Sequence, residues 1–211
     1  MVLQMVHKFF YVYSVKGDLN ELSEFNESPV EIDGTRFNLN LERPKSIKSV
    51  IQPYYFNHQK EINGNIQFKD RSVPFKVRSK SKLLFVETPY QREKLKILKF
   101  FNNKFKNFEI ETFVPTDEEE RDFVCNTTKY SSFKVFIDNE IVHSDETTRG
   151  LCTGLMEDME LIEATLYLTI HDKKITFYYY GDAIQFPNQR KEEDIEGVFQ
   201  AFENTMMAPA K

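Results

Sequence analysis

Period-two alternation of apolar and polar positions recurs along the first half of the chain. Residues 8–15, KFFYVYSV, are aromatic and β-branched and predict a strand. In GDLNELSEF, Asp18 is placed to cap a short helix with Glu21 three positions on, and Leu19, Leu22 and Phe25 share one face. Asp33-Gly34 separates two runs, and Phe37, Leu39 and Leu41 alternate with polar residues, a β-hairpin signal. EINGNIQF (61–68) predicts strand with a turn near Asn63-Gly64. Val73, Phe75 and Val77 alternate with Pro74, Lys76 and Arg78, as in a half-buried strand. After the turn SKSK (79–82), the continuous run LLFV (83–86) predicts a central strand covered on both faces.

The period then changes to that of a helix. Pro89 opens a helix expected to run to about Asn107, with Leu98, Phe101, Phe105 and Phe108 in one sector and Leu95 and Ile97 at its edges. Arg92, Lys96, Lys99, Asn103 and Lys106 take the opposite sector, and Phe100 falls beside them. Residues 108–114 return as strand, and PTDEEERDF opens a helix with Thr116 as cap and Glu119 completing a capping box. Hairpins are expected at 133–143, turning at Asp138-Asn139, and at 164–180, turning at 171–174. A polar connector spans 144–158, and a last helix at 191–206 carries the stripe Ile195, Val198, Phe199, Phe202 and Met206. Pro44 and Pro53 break residues 43–60, leaving room for a short helix around 45–51. The predicted class is α+β: a mixed, largely antiparallel sheet with packed helices, in two β-β-α-like units at 73–106 and 162–206.

Composition supports a packed core. Hydrophobic residues make up 40% of the 211, with 20 Phe and 10 Tyr, which argues against disorder. Two cysteines do not make a secreted disulfide framework, so a reducing, cytoplasmic setting is expected. The N-terminus lacks a signal-peptide pattern, and no run nears the ~20 apolar residues of a membrane helix.

Charge divides the chain. Residues 41–108 hold 16 Lys or Arg against 5 Asp or Glu, a net +11, whereas residues 109–211 carry 9 against 22, a net −13. The expected organisation is an N-terminal half, 1–108, with a basic segment at 43–106, and an acidic half, 109–211, the two packed as one body. The basic residues form two sets: Lys76, Arg78, Lys80 and Lys82 on a hairpin's outer face and turn, and Arg92, Lys96, Lys99 and Lys106 on the helix. Multiple cations suit a phosphate backbone, where affinity comes mainly from counterion release. A helix packed on the Val73–Phe75–Val77 face would, however, leave Lys76 and Arg78 on the other side. Phe100 and the cluster Tyr54, Tyr55, Phe56 put aromatic rings among cations, an arrangement able to stack bases.

Catalytic signatures are missing from the sequence. His143, Ser144 and Asp145 are adjacent, whereas a triad is spatial. The four histidines lack ligand spacing, and no phosphate-binding glycine loop or C-x-x-C occurs. Consecutive acids at 117–122 are accounted for by helix capping, and EDMELIE (157–163) likewise gives no metal site. These features predict a non-catalytic protein without metal or cofactor that contacts DNA or RNA through the eight named cations. The alternative is a protein–protein adaptor, with the acidic half meeting a partner or a second copy.

Overall fold

The computed structural model describes residues 7–25, 29–42, 61–137, 140–145, 160–187 and 190–206. The expectations for 43–60, including Tyr54–Phe56, for Asp138-Asn139 and for most of 144–158 lie outside these residues. The chain divides into two compact units, Phe10–Phe113 and Met1–Phe9 with Val114–Lys211.

The Phe10–Phe113 unit contains most of β1 (Lys8–Gly17), then α1 (Asn20–Ser23), β2 (Val30–Ile32), β3 (Thr35–Leu41), β4 (Glu61–Phe68), β5 (Arg71–Arg78), β6 (Leu83–Glu87), α2 (Gln91–Lys104) and β7 (Phe108–Thr112). Its strands lie in the order β2-β3-β4-β5-β6-β1, β7 also pairs with β1, and every one of these ladders is antiparallel. Asp33 and Gly34 have φ of 47° and 68°, so the β2–β3 turn matches strand twist as a type I′ turn does. Leu83, Leu84, Phe85 and Val86 are all buried, as a central strand requires.

Alternation along β5 sends Val73, Phe75 and Val77 to the face that packs against α2. There Phe75 meets Phe101 edge-on at 5.5 Å between ring centroids, and Phe37 meets Phe100 at 5.3 Å. Each fully buried ring of this kind contributes about 1.5–3 kcal/mol. Phe100 is therefore a core residue with no exposure, not an aromatic beside the basic sector. The helical wheel misplaced it because α2 ends at Lys104: Phe105 and Phe108 reach the core from the chain beyond the helix. The buried sector turns instead through Lys94, Ile97, Phe100 and Phe101, and Leu95 is exposed. Lys94 is accommodated by the Tyr11 ring, 4.2 Å from its ammonium.

Asn63-Gly64 is not a turn. β4 runs through it, with Gly64 opposite Phe75 and Leu41. A Cβ on Gly64 would lie 2.7 Å from the Asn40 carbonyl oxygen and 2.8 Å from the Phe75 ring, so glycine here admits close approach rather than a reversal.

The second unit contains α3 (Asp117–Arg121), a π-helical turn (Asp122–Thr127), β8 (Lys129–Ile137), β9 (Glu140–Asp145), β10 (Glu160–Ile170), β11 (Lys173–Tyr179), β12 (Ala183–Phe186) and α4 (Glu192–Met206). Its strand order is β12-β11-β10-β8-β9, again antiparallel. Thr116 and Glu119 form the expected reciprocal capping box at α3. The β10–β11 turn uses His171 and Asp172, both at positive φ, without glycine. Ile195, Val198, Phe199, Phe202 and Met206 are buried, and Phe202 meets Phe123 edge-on at 5.1 Å. α2 follows the two strands β5 and β6, whereas α4 follows three, β10 to β12. The architecture is thus α+β, dominated by antiparallel sheet. Among the described residues no helix is long and apolar enough to cross a membrane.

Candidate nucleic-acid interface

The hairpin cations and the helix cations are held differently. Because β5 alternates, Lys76 and Arg78 stand on the face opposite Phe75 and Val77, away from α2. The cross-strand partner of Arg78 on β4 is Glu61, whose carboxylate accepts from Arg78 Nη1 at 2.7 Å and lies 3.5 Å from Lys76 Nζ. These three side chains are only 24%, 12% and 16% exposed for Glu61, Arg78 and Lys76. In the turn, Lys82 has φ of 55°, and its ammonium donates to the Gly17 carbonyl at 3.2 Å. Its own carbonyl accepts from the Val15 N–H at 2.7 Å, fastening the turn to β1. Lys80 is exposed.

On α2, Arg92 and Lys96 are one turn apart and line the same shallow depression of about 170 Å³. The β4–β5 turn supplies the other wall, Lys69, Asp70 and Arg71, with Phe68 and Glu93 completing the lining. Four cations thus meet two carboxylates around one concavity. Lys96 Nζ sits 5.0 Å from the centre of the Phe68 ring. Glu93 is fixed from beneath: its carboxylate accepts from the buried Thr88 hydroxyl at 2.5 Å and lies 3.7 Å from Arg71 Nε. The Arg71 guanidinium also stands 5.4 Å from the ring centre of Tyr90, which is 52% exposed. Lys99, three residues beyond Lys96, pairs with Asp33, both well exposed. Lys106 is exposed beyond the helix, its backbone N–H donating to Glu21 at 3.0 Å.

The structure therefore brings Arg92 and Lys96 together, leaves Lys99 beside them on α2, and places Lys76 and Arg78 on another face. It adds Lys69, Arg71 and Tyr90, which periodicity did not single out. Their only sequence signal is a Lys-Asp turn and an aromatic ahead of a helix; their meeting depends on how α2 crosses the sheet. Arranged this way, the depression can hold a phosphate-sized anion by charge-assisted hydrogen bonds. Elsewhere, His143, Ser144 and Asp145 follow one another along β9. Among the described residues no three His, Cys, Asp or Glu side chains gather as metal ligands would. Neither the protein-family models nor the curated proteins compared with this chain give a match.

Proposed function

We propose that this protein binds nucleic acid without transforming it, gripping the phosphate backbone at the depression between the β4–β5 turn and α2. The observation that carries the reading is the convergence of Lys69, Arg71, Arg92 and Lys96 on one concavity within the segment of net +11. Lys99 extends this surface along α2. Its pair with Asp33 joins two exposed side chains, worth about 0–1 kcal/mol, and is readily exchanged for a phosphate. Lys80, Lys82 and Lys106 add to the long-range field, and Lys76 and Arg78 are assigned to the fold through Glu61. The setting is cytoplasmic. The paired order β5-β6-α2 and β10-β11-β12-α4 is read as two β-β-α-like units, the second with an added strand.

Fluorescence anisotropy of labelled DNA and RNA, titrated at several salt concentrations, tests this reading. With about four phosphates neutralised, log K should fall against log salt with a slope of roughly −3. The Arg92→Glu/Lys96→Glu variant should bind weakly to every sequence and with a flatter slope. Failure of the unaltered protein to bind any DNA or RNA at low salt overturns the proposal.

A protein–protein adaptor is the second reading, favoured by one observation. Phe136 and Ile141 stand opposite each other on β8 and β9, 39% and 58% exposed, an apolar spot on the outermost hairpin of the second unit. Self-association of the acidic half with a basic surface of another copy would weaken as salt shortens the Debye length.

A further inference from the structure

We infer that the nucleic acid is taken as a single strand, with an unpaired base stacked on Tyr90; this rests on the phosphate-binding reading of the neighbouring depression. A large ring that is 52% exposed on a protein rich in buried aromatics calls for an explanation. The backbone of Tyr90 is held at both its N–H and its carbonyl. Its N–H donates to the Thr88 hydroxyl at 3.2 Å, and its carbonyl accepts from the N–H groups of Glu93 and Lys94 at 3.0 and 3.1 Å. Pro89 before it restricts the chain further. The backbone therefore presents the ring from a fixed point at the start of α2.

Arg71 joins the ring to the depression. Its guanidinium stands 5.4 Å from the Tyr90 centroid and lines the cavity with Arg92, Lys96 and Lys69. A cation that borders both an aromatic ring and a cluster of phosphate donors matches the two chemically distinct parts of one nucleotide, a flat base and its adjoining phosphate. Base faces are accessible only in an unpaired strand; in a duplex they are closed by stacking. The same phosphates are present in both forms, so the cations alone do not choose between them. The tyrosine does.

The experiment compares a labelled single strand with its duplex, using unaltered protein, Tyr90→Ala, Tyr90→Phe and Arg92→Glu/Lys96→Glu, each first checked for an unchanged melting temperature. The single strand should bind more tightly than the duplex. Tyr90→Ala should weaken single-strand binding about tenfold and leave duplex binding alone, while Tyr90→Phe retains both. A 2-aminopurine strand should change fluorescence on binding to the unaltered protein and not to Tyr90→Ala. Equal affinity for strand and duplex, or full single-strand affinity in Tyr90→Ala, overturns the inference. If Arg92→Glu/Lys96→Glu still weakens binding in that case, the phosphate-binding proposal stands by itself. If neither nucleic acid binds at low salt, both fall.

Discussion

Removing the Glu61 carboxylate separates the structural role of basic residues in the Phe10–Phe113 unit from the phosphate-binding role proposed for others. Glu61→Ala removes one anion that pairs with both Arg78 and Lys76, which are 12% and 16% exposed. An exposed pair is worth about 0–1 kcal/mol, and stripping one partner from a fully buried pair costs about 3–5 kcal/mol. Limited exposure and the 2.7 Å charge-assisted bond to Arg78 put this site between those limits, at about 2 kcal/mol. Glu61→Gln keeps an acceptor for Arg78 and should cost roughly half as much. In urea denaturation the midpoint should fall at constant slope, and melting should drop by about 4–8 °C.

The same variants report on function. Were Lys76 and Arg78 phosphate ligands, deleting the Glu61 carboxylate would remove an anion that competes with phosphate and strengthen nucleic-acid binding. Because they face away from α2, affinity should instead stay within about twofold, the remainder reflecting screened long-range charge. A Glu61→Ala protein that is as stable as the parent and binds DNA or RNA more tightly would refute the assignment of these cations to the fold.

In the second unit, Phe202→Ala should cost about 3–5 kcal/mol, because the ring is fully buried against Phe123 and Tyr179; an unchanged denaturation midpoint would show that α4 does not dock through it. Tyrosine ionisation gives an independent check. Burial pushes Tyr180 up to about 12, with Glu163 and Tyr178 adding to it. Burial, joined by the Glu120 carboxylate that accepts its hydroxyl at 3.1 Å, lifts Tyr179 well above the usual range. Both folded values exceed the unfolded value of about 10. Their contribution to stability is therefore complete below pH ~10 and is lost as pH rises through each folded value, about 12 for Tyr180. Absorbance titration of the 10 tyrosines in one step near pH 10, with the protein still folded, would contradict this.

Local chemistry was readable in the sequence wherever one turn or one face decided the outcome. Asp33-Gly34 turns, Thr116 and Glu119 cap α3, LLFV is buried throughout, and the α4 stripe is a docking face because all five of its residues repeat at helical spacing. The same signals misled where a distant element intervened. Asn63-Gly64 has the composition of a turn, yet its glycine serves the approach of Phe75 from β5. Phe100 lay on the wrong side of a wheel drawn three residues past the end of α2. The carboxylates that hold particular cations were equally hidden, since Glu61 lies 17 residues from Arg78 and Asp33 is brought to Lys99 only by the fold.

That dependence on distant partners changes what a net charge of +11 means. Counted along the chain, every cation in residues 41–108 contributes alike. In the folded unit, Lys76 and Arg78 are answered by Glu61, Lys94 is buried beside Tyr11, and Lys104 sits 5.4 Å from the Phe25 ring centre. A cation matched by a carboxylate within a few ångströms looks nearly neutral to a ligand a Debye length away, about 10 Å at 0.1 M salt. An uneven surface field therefore arises only where cations outnumber the acids between them, and the β4–β5 turn with the first turns of α2 is such a place. On the proposed reading, the charge that meets phosphate is set by the register of β4 on β5 and the seating of α2 on the sheet. A substitution that shifts α2 on Phe75 and Phe101 would weaken nucleic-acid binding without altering a single charge.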